Sequence, residues 1–145
     1  MKIQEQHLFH GPALVQIVEH RSFKALNKAD KKYGHYAVND KRRLFVKYLT
    51  KKTPPWVFAF SPAEIKAIKA DIASGAKTFL SLVCGTSTIC CLAQKEIQSV
   101  VDLNSPKSQS IRVEVPKGGS QRVSGSAGAL KKTIAHNAYP KKVLS

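Results

Sequence analysis

Residues 117–128 bring together residue types that hold phosphate, namely glycines, serines and an arginine, and two lysines follow closely. Glycine lets the backbone approach a ligand, successive backbone amides can form an anion-binding concavity, and arginine binds phosphate through two nitrogens. The glycine spacing matches neither the P-loop nor the dinucleotide-binding fingerprint. We therefore predict a phosphate-contact surface, the alternative being two tight turns around a short strand with solvated cations. The candidate contact residues are Lys117, Ser120, Arg122, Lys131 and Lys132.

A second group of cations recurs at strand spacing between residues 41 and 52. Cations on a strand can follow a nucleic-acid backbone, and the nearby Tyr48 and Trp56 could stack on bases. In the alternative, both aromatic rings lie in the core, and the cations are charged side chains at a sheet edge that discourage aggregation with other sheets. We favour the core for the aromatic rings and nucleic-acid contact for the cations. The candidates in this group are Lys41, Arg42, Arg43, Lys47, Lys51 and Lys52.

A few acidic residues leave a metal-dependent nuclease open as an alternative. Such enzymes need two or more carboxylates for Mg²⁺ and often a lysine at the scissile phosphate. Asp102, Glu114 and Lys117 could supply that set. Their order resembles the D…(D/E)-x-K motif of restriction-type nucleases, with one residue too many before the lysine. We favour binding without catalysis and expect no cofactor, Mg²⁺ being required only by the nuclease alternative.

A second carboxylate set departs from the same motif in another way. Glu19, Asp40 and Lys47 follow the order of the motif, but Phe45 stands where the motif has a carboxylate. The chain has only nine acidic residues, so sets of this kind arise by coincidence. Neither set is predicted to be a catalytic site.

The net charge of +15 lies entirely outside the middle third of the chain. Residues 1–60 carry 12 Lys or Arg against 4 acids, residues 61–106 carry 4 against 4, and residues 107–145 carry 8 against 1. Such a charge repels itself in the folded state unless a polyanion lies against it. We therefore predict a nucleic-acid-binding protein that contacts mainly the phosphate backbone, without a base-reading motif. A small phosphorylated nucleotide ligand or an acidic protein partner remains a further alternative.

Length and composition predict one domain over residues 1–145, with residues 1–10 and 141–145 as frayed ends. The 43% apolar content allows a real core, and no apolar run is long enough to cross a membrane. Three cysteines, an odd number in apolar segments, favour core packing in a reducing compartment, so we expect the cytoplasm. The sequence predicts no oligomeric state.

Hydrophobic periodicity and turn residues predict an α+β domain with a mixed or mainly antiparallel sheet and helices packed on one face. A capping box at Ser61 and Glu64 marks the clearest helix start. Three adjacent strands before it are expected to form a meander. The predicted helices cover residues 11–34, with an interruption near Ser22, then 62–74 and 94–101. The predicted strands cover 35–38, 42–50, 56–60, 78–84, 89–92 and 111–115.

Overall fold

The computed structural model describes residues 2–30 and 34–145 and has the α+β architecture that the sequence predicts. The described strands form two sheets, and the helices lie against them. In chain order the elements are α1 (Glu5–Glu19), β1 (Leu26–Lys28), β2 (His35–Val38), β3 (Arg42–Leu49), β4 (Trp56–Phe60), α2 (Pro62–Ala73), β5 (Lys77–Cys84), β6 (Thr88–Ala93), α3 (Gln94–Val100), β7 (Gln109–Glu114), β8 (Arg122–Gly125), β9 (Gly128–Ala129), a 3₁₀ turn (His136–Ala138) and α4 (Lys141–Leu144).

The larger sheet is mixed and has the strand order β1-β2-β3-β5-β6. Its strands pair antiparallel except β3 and β5, which run parallel because the chain crosses over through β4 and α2 between them. The predicted turn at Asn39 and Asp40 joins β2 to β3, with positive φ angles of 50° at Asn39 and 61° at Lys41. This sheet runs through the middle of the molecule.

Side chains alternate across the central strand β5 and enter two separate cores. Leu80 and Leu82 pack with Trp56 on one face, whereas Phe79 and Val83 pack on the other. Apolar burial on both faces requires cover on both faces. The helices accordingly divide, with α1 and α4 on one side and α2 and α3 on the other, instead of lying together on the single face that we expected.

The smaller sheet has the strand order β4-β7-β8-β9. Trp56, Phe58 and Phe60 point into the core, while Val57 between them is 46% exposed. The strand boundaries of β4 match the prediction, but β4 does not extend the β2-β3 hairpin into a meander. It pairs with β7 instead. The outer face of this second sheet is open to solvent, because Val57, Arg112 and Glu114 on that face are exposed.

The N-terminal helix differs most from the prediction. It covers Glu5–Glu19, because reciprocal bonds between Gln4 and His7 cap it before Gly11 and an extended residue, His20, ends it. The chain then forms β1 within the span predicted as helix, while residues 31–33 of that span lie outside the described residues. The expected fraying of residues 1–10 is not seen at Glu5 to His10, which belong to α1.

The C-terminal segment is also ordered against the core. Residues 141–144 form α4, with Val143 and Leu144 buried, where we expected a frayed end. The Tyr139 hydroxyl donates a hydrogen bond of 2.7 Å to the carbonyl oxygen of Ala13, which ties this segment to α1. Among the described helices none is long and apolar enough to cross a bilayer.

Candidate nucleic-acid interface

Three predicted contact residues meet at one shallow groove on the smaller sheet. Arg122, Lys131 and Lys132 all line it, and all three are exposed. We refer to this surface as the basic groove. Its other lining residues are Glu114, Val123, Ser124, Ala129, Leu130 and Thr133.

An irregularity in strand pairing places the two lysines of the basic groove there. Ser124 pairs with Ala129, and Gln121 pairs with Ile134. Between these two pairs the strands differ in length, because position 124 follows position 121 by three residues whereas position 134 follows position 129 by five. The two extra residues bulge out of the ladder beside Arg122, as expected when one strand is longer than its partner.

Glu114 is the one acidic residue among those that line the basic groove, and it is already paired. Arg112, on the same open face of β7, donates to Glu114 Oε1 from Nε at 3.1 Å and from a terminal nitrogen at 2.7 Å. Because Glu114 is paired with Arg112, its carboxylate does not compete with an anionic ligand for the cations of the basic groove. Arg112 was not among the residues predicted for the site, although it alternates with the apolar residues of β7 and is exposed.

The basic groove continues toward the C-terminal helix. Thr133 lines both the groove and a neighbouring depression that contains Lys141, Lys142 and Ser145. Lys141 is exposed, whereas the Lys142 ammonium pairs with Glu96 and is half-buried. The main-chain oxygen of Ser145 accepts a bond of 3.2 Å from Arg42. One surface thus connects the carboxyl-terminal cations to the first residue of β3.

The predicted 41–52 cations do not form one continuous row. Arg42 shares a face of β3 with Leu44, which packs in the core beneath α1, whereas Arg43 shares the opposite face with Phe45. Both guanidinium groups donate to main-chain oxygens and both side chains are half-buried. Lys41 is exposed in the turn that precedes them.

Lys47 has a structural partner within the fold. Its ammonium bonds to Glu64 Oε2 at 2.6 Å and lies 4.7 Å from the centre of the Phe60 ring. Burial alone would raise the pKa of Glu64, but the hydrogen bonds from Lys47 and Ser61 outweigh it and lower that pKa. Lys47 therefore joins β3 to α2, which reduces its availability to a ligand.

Lys51 and Lys52 lie at the end of the molecule where the basic groove begins. Trp56, just after them, pairs with Val113, and the neighbouring Glu114 pairs with Arg122. Both lysines are exposed, although the Lys51 ammonium also donates to a main-chain oxygen. Lys117 is exposed and Ser120 half-exposed in the turn before Arg122.

The two aromatic residues considered for base stacking make contacts within the protein instead. Trp56 is 1% exposed and its indole nitrogen donates to the carbonyl oxygen of Lys51 at 2.7 Å. Tyr48 stacks on Phe9 at 5.0 Å and donates its hydroxyl hydrogen to Glu5. The interpretation that favoured burial for these rings is the one the structure supports.

The fold does not assemble the first nuclease set. Asp102 bonds to Gln109, the first residue of β7, whereas Glu114 is its last residue. Five residues of strand separate those positions by about 17 Å, so the two carboxylates cannot share one ion.

The second set is divided by the larger sheet. Glu19 ends α1 on one face, whereas Lys47 contacts Glu64 on the other face, and Asp40 lies in the turn between β2 and β3. Within residues 2–30 and 34–145, no three His, Cys, Asp or Glu side chains are grouped so that they could hold a metal ion.

Comparison with models of protein families and with curated protein sequences found no match. Among solved structures, the chain is similar to Hjc, a Holliday junction resolvase from the archaeal hyperthermophile Archaeoglobus fulgidus. The two sequences are 13% identical, the likeness covers 74% of this chain and 83% of the other, and the TM-score is 0.48.

Proposed function

We propose that this protein binds nucleic acid chiefly through its phosphates and that the basic groove is the centre of the contact surface. The observation that carries the proposal is the convergence of Arg122, Lys131 and Lys132, which the strand pairing brings together on a chain of net charge +15. Arginine can bind a phosphate through two nitrogens, and each lysine adds a mobile point charge.

The contact surface extends from the basic groove in two directions. Lys117 and Ser120 precede Arg122 in the same hairpin, with Lys51 and Lys52 at that end of the molecule. Lys141 lies beyond Thr133 on the other side. Arg42, Arg43 and Lys47 contribute less, because each already bonds to a protein oxygen.

We further propose that the preferred ligand is double-stranded. Proteins that hold single strands stack successive bases on exposed aromatic rings. Every aromatic side chain in the part of the chain that the structure describes is buried or half-buried. The basic groove itself is lined by aliphatic, hydroxyl and charged residues. Such a surface suits the phosphates of a duplex, whose bases remain stacked on each other.

The test compares two triple variants that remove the same charge. In the first, Arg122, Lys131 and Lys132 are changed to Gln; in the control, the exposed Lys66, Lys69 and Lys107 are changed to Gln. Binding of a short fluorescent duplex is measured by anisotropy across a range of salt concentrations. Affinity should fall steeply with salt, and each lost phosphate contact should reduce the log–log slope by about one.

The groove variant should therefore lose about two to three units of slope, whereas the control should lose less than about one. Equal losses in the two variants would show that only net charge matters, and salt-insensitive binding would remove the electrostatic basis altogether. Single-stranded DNA, RNA, a mononucleotide and an acidic protein are titrated in parallel, with and without Mg²⁺. Tighter binding of any of these than of the duplex contradicts the proposed preference, and Mg²⁺-dependent cleavage would favour the nuclease alternative.

A further inference from the structure

A hydroxyl, an imidazole and a carbonyl form a chain of hydrogen bonds beside the turn between β5 and β6. Thr88 Oγ1 lies 2.7 Å from His136 Nδ1, and His136 Nε2 lies 3.1 Å from the carbonyl oxygen of Gly119. The three residues come from β6, the 3₁₀ turn and the loop before β8. Packing between distant parts of the chain, and not local sequence, brings them together.

The direction of each hydrogen bond in this series follows from the chemistry of the groups at its two ends. A carbonyl oxygen can only accept, so His136 Nε2 carries the hydrogen that bonds to Gly119. In the neutral imidazole Nδ1 is then an acceptor, and the Thr88 hydroxyl donates its hydrogen to it. Neutral His136 is thereby held as the base toward the Thr88 hydroxyl. A nucleophile and a base form a nucleophilic dyad, and here a third group orients the base.

A fully buried glutamine fixes the hydroxyl from the other side. Gln121 is 0% exposed, and its side-chain nitrogen donates to the carbonyl oxygen of Ile89 at 3.0 Å and to Thr88 Oγ1 at 2.7 Å. The Ile89 carbonyl accepts only, so the nitrogen must face it. Gln121 Oε1 is left buried without a hydrogen bond to any described residue, which is unfavourable. The fold thus holds this amide where its nitrogen positions Thr88.

The dyad opens onto a pocket with a largely apolar wall. Thr88 and His136 both line this pocket, whose volume is about 320 Å³ and lies at the lower end of the range for small-molecule sites. No described Lys or Arg lines it, so a phosphoryl group would find no counter-charge there. An uncharged group with an apolar part fits better. Its apolar lining residues are Leu8, Pro12, Val83, Ile89 and Tyr139, and Gln16, Gly85, Thr86 and Ser87 also line it.

We propose that Thr88 and His136 form a hydroxyl–imidazole dyad that takes an acyl group from a small carboxylic ester. Thr88 Oγ1 attacks the ester carbonyl carbon and its proton passes to His136 Nδ1. The bond from that carbon to the alcohol oxygen breaks, and the departing alcohol takes the proton from Nδ1. Water, deprotonated by His136 Nδ1, then attacks the acyl carbon. The bond from that carbon to Thr88 Oγ1 breaks, Oγ1 takes the proton back from Nδ1, and the carboxylic acid is released. The Gly119 carbonyl and Gln121 are positioning groups. This activity is independent of the nucleic-acid contact proposed above.

The experiment incubates the full-length protein with 4-nitrophenyl acetate and follows both 4-nitrophenolate release and acetylation of the peptide that contains Thr88. Site mapping by mass spectrometry separates acetyl-threonine from acetylated lysines. Thr88→Val should abolish acetylation at position 88, and His136→Gln should slow it by about 100-fold, the lower end of the range for a general base. Thr88→Ser should retain it.

Thr53→Val is the matched control, because it removes an exposed hydroxyl that does not line the pocket and should leave the acetylation of Thr88 unchanged. Circular dichroism and the unfolding temperature verify that each variant is folded. Should Thr88→Val fail to fold, the comparison of His136→Gln with Thr53→Val still tests the proposal. Acetylation confined to lysines, or an equal rate at Thr88 with and without the imidazole, overturns the proposal.

Discussion

Two glycines differ sharply in what an added methyl group would meet. A Cβ at Gly125 in β8 would lie 2.3 Å from the carbonyl oxygen of Val100 and 3.0 Å from that of Ser110. Both are backbone atoms, which cannot move aside independently. A Cβ at Gly11 in α1 would have no described atom within 4 Å outside its own helix backbone and chain neighbours. The same substitution should therefore have opposite effects at these two positions.

We expect Gly125→Ala to lower the free energy of unfolding by about 1–3 kcal/mol, as overpacking does. Gly11→Ala should raise it by no more than about 0.5 kcal/mol, because alanine loses less conformational freedom in a helix than glycine but its Cβ meets the ring of Pro12 that follows. Denaturant titrations of both variants provide the measurement. A stable Gly125→Ala protein would show that α3 does not pack against β8 as closely as described.

The three cysteines illustrate what the sequence can predict at the scale of one residue. Cys90 and Cys91 are consecutive in a strand, so the sequence predicts that they point to opposite faces, and the structure places them in different cores. Burial raises the pKa of Cys84 and Cys91 to about 12 and that of Cys90 well above its usual 9. The pairing of Lys47 with Glu64 was not predictable in this way, since it depends on how α2 packs.

Raised thiol pKa values make stability depend on alkaline pH. The folded protein keeps these thiols protonated above the pH at which the unfolded chain ionises them, so their stabilising effect is complete below about pH 9 and is lost as the pH rises toward 12. Unfolding temperature should fall from pH 8 to pH 10.5, and Cys84→Ala should show a shallower fall. An identical pH dependence in that variant would contradict the role of Cys84 burial.

At the scale of elements, strand and helix limits were predictable wherever the signal was local. The limits of β2 and β4 match the prediction, and Ser61 and Glu64 cap α2 reciprocally as the sequence indicates. The sheet to which β4 belongs was not predictable, because its partner β7 lies about fifty residues later in the chain. The helix predicted over residues 11–34 is confirmed as far as Glu19 and wrong beyond it, where β1 pairs with β2, a tertiary effect that overrides local propensity.

The contact between Lys47 and Glu64 joins β3 to α2 and should do so in a pH-dependent way. The Glu64 pKa is lowered in the fold, so its stabilising effect is present above the pKa of the unfolded chain and is lost as the pH falls below about 4. Both side chains are partly exposed, which limits the effect to about 0.2–1 kcal/mol. Lys47→Met should be less stable than the parent at pH 7 and equal to it near pH 3, as judged by urea titration. A difference that persists at pH 3 would assign the effect to lost packing on Phe60.

At the scale of the whole molecule, the net charge of +15 should make the folded state sensitive to salt. Like charges repel across the surface, and the screening length falls from about 10 Å at 0.1 M salt to about 3 Å at 1 M. Unfolding temperature should therefore rise with NaCl in the absence of any ligand. The variant that lacks Arg122, Lys131 and Lys132 should show a smaller rise, because these cations are crowded together. A fall in unfolding temperature with salt would indicate that favourable ion pairs dominate instead.

The segregation of charge along the chain predicted a basic surface but not its shape. The carboxyl-terminal cations meet because Gln121 pairs with Ile134, and a single bridge of this kind leaves no pattern in the sequence. The 41–52 cations are dispersed because a strand sends Arg42 and Arg43 to opposite faces and spans about 23 Å from Arg42 to Leu49. Composition predicts a polyanionic partner, whereas the pairing between distant strands determines which cations share a surface.

The five-stranded sheet acts as a partition that separates the apolar interior into two compartments. The lone tryptophan, Trp56, belongs to one compartment, and Tyr139 belongs to the other. Tryptophan emission consequently reports on the half that contains α2 and α3 and does not report on the half that contains α1 and α4. Any optical study that relies on this one fluorophore observes half of the protein, and a tyrosine-based signal is needed to observe the remainder.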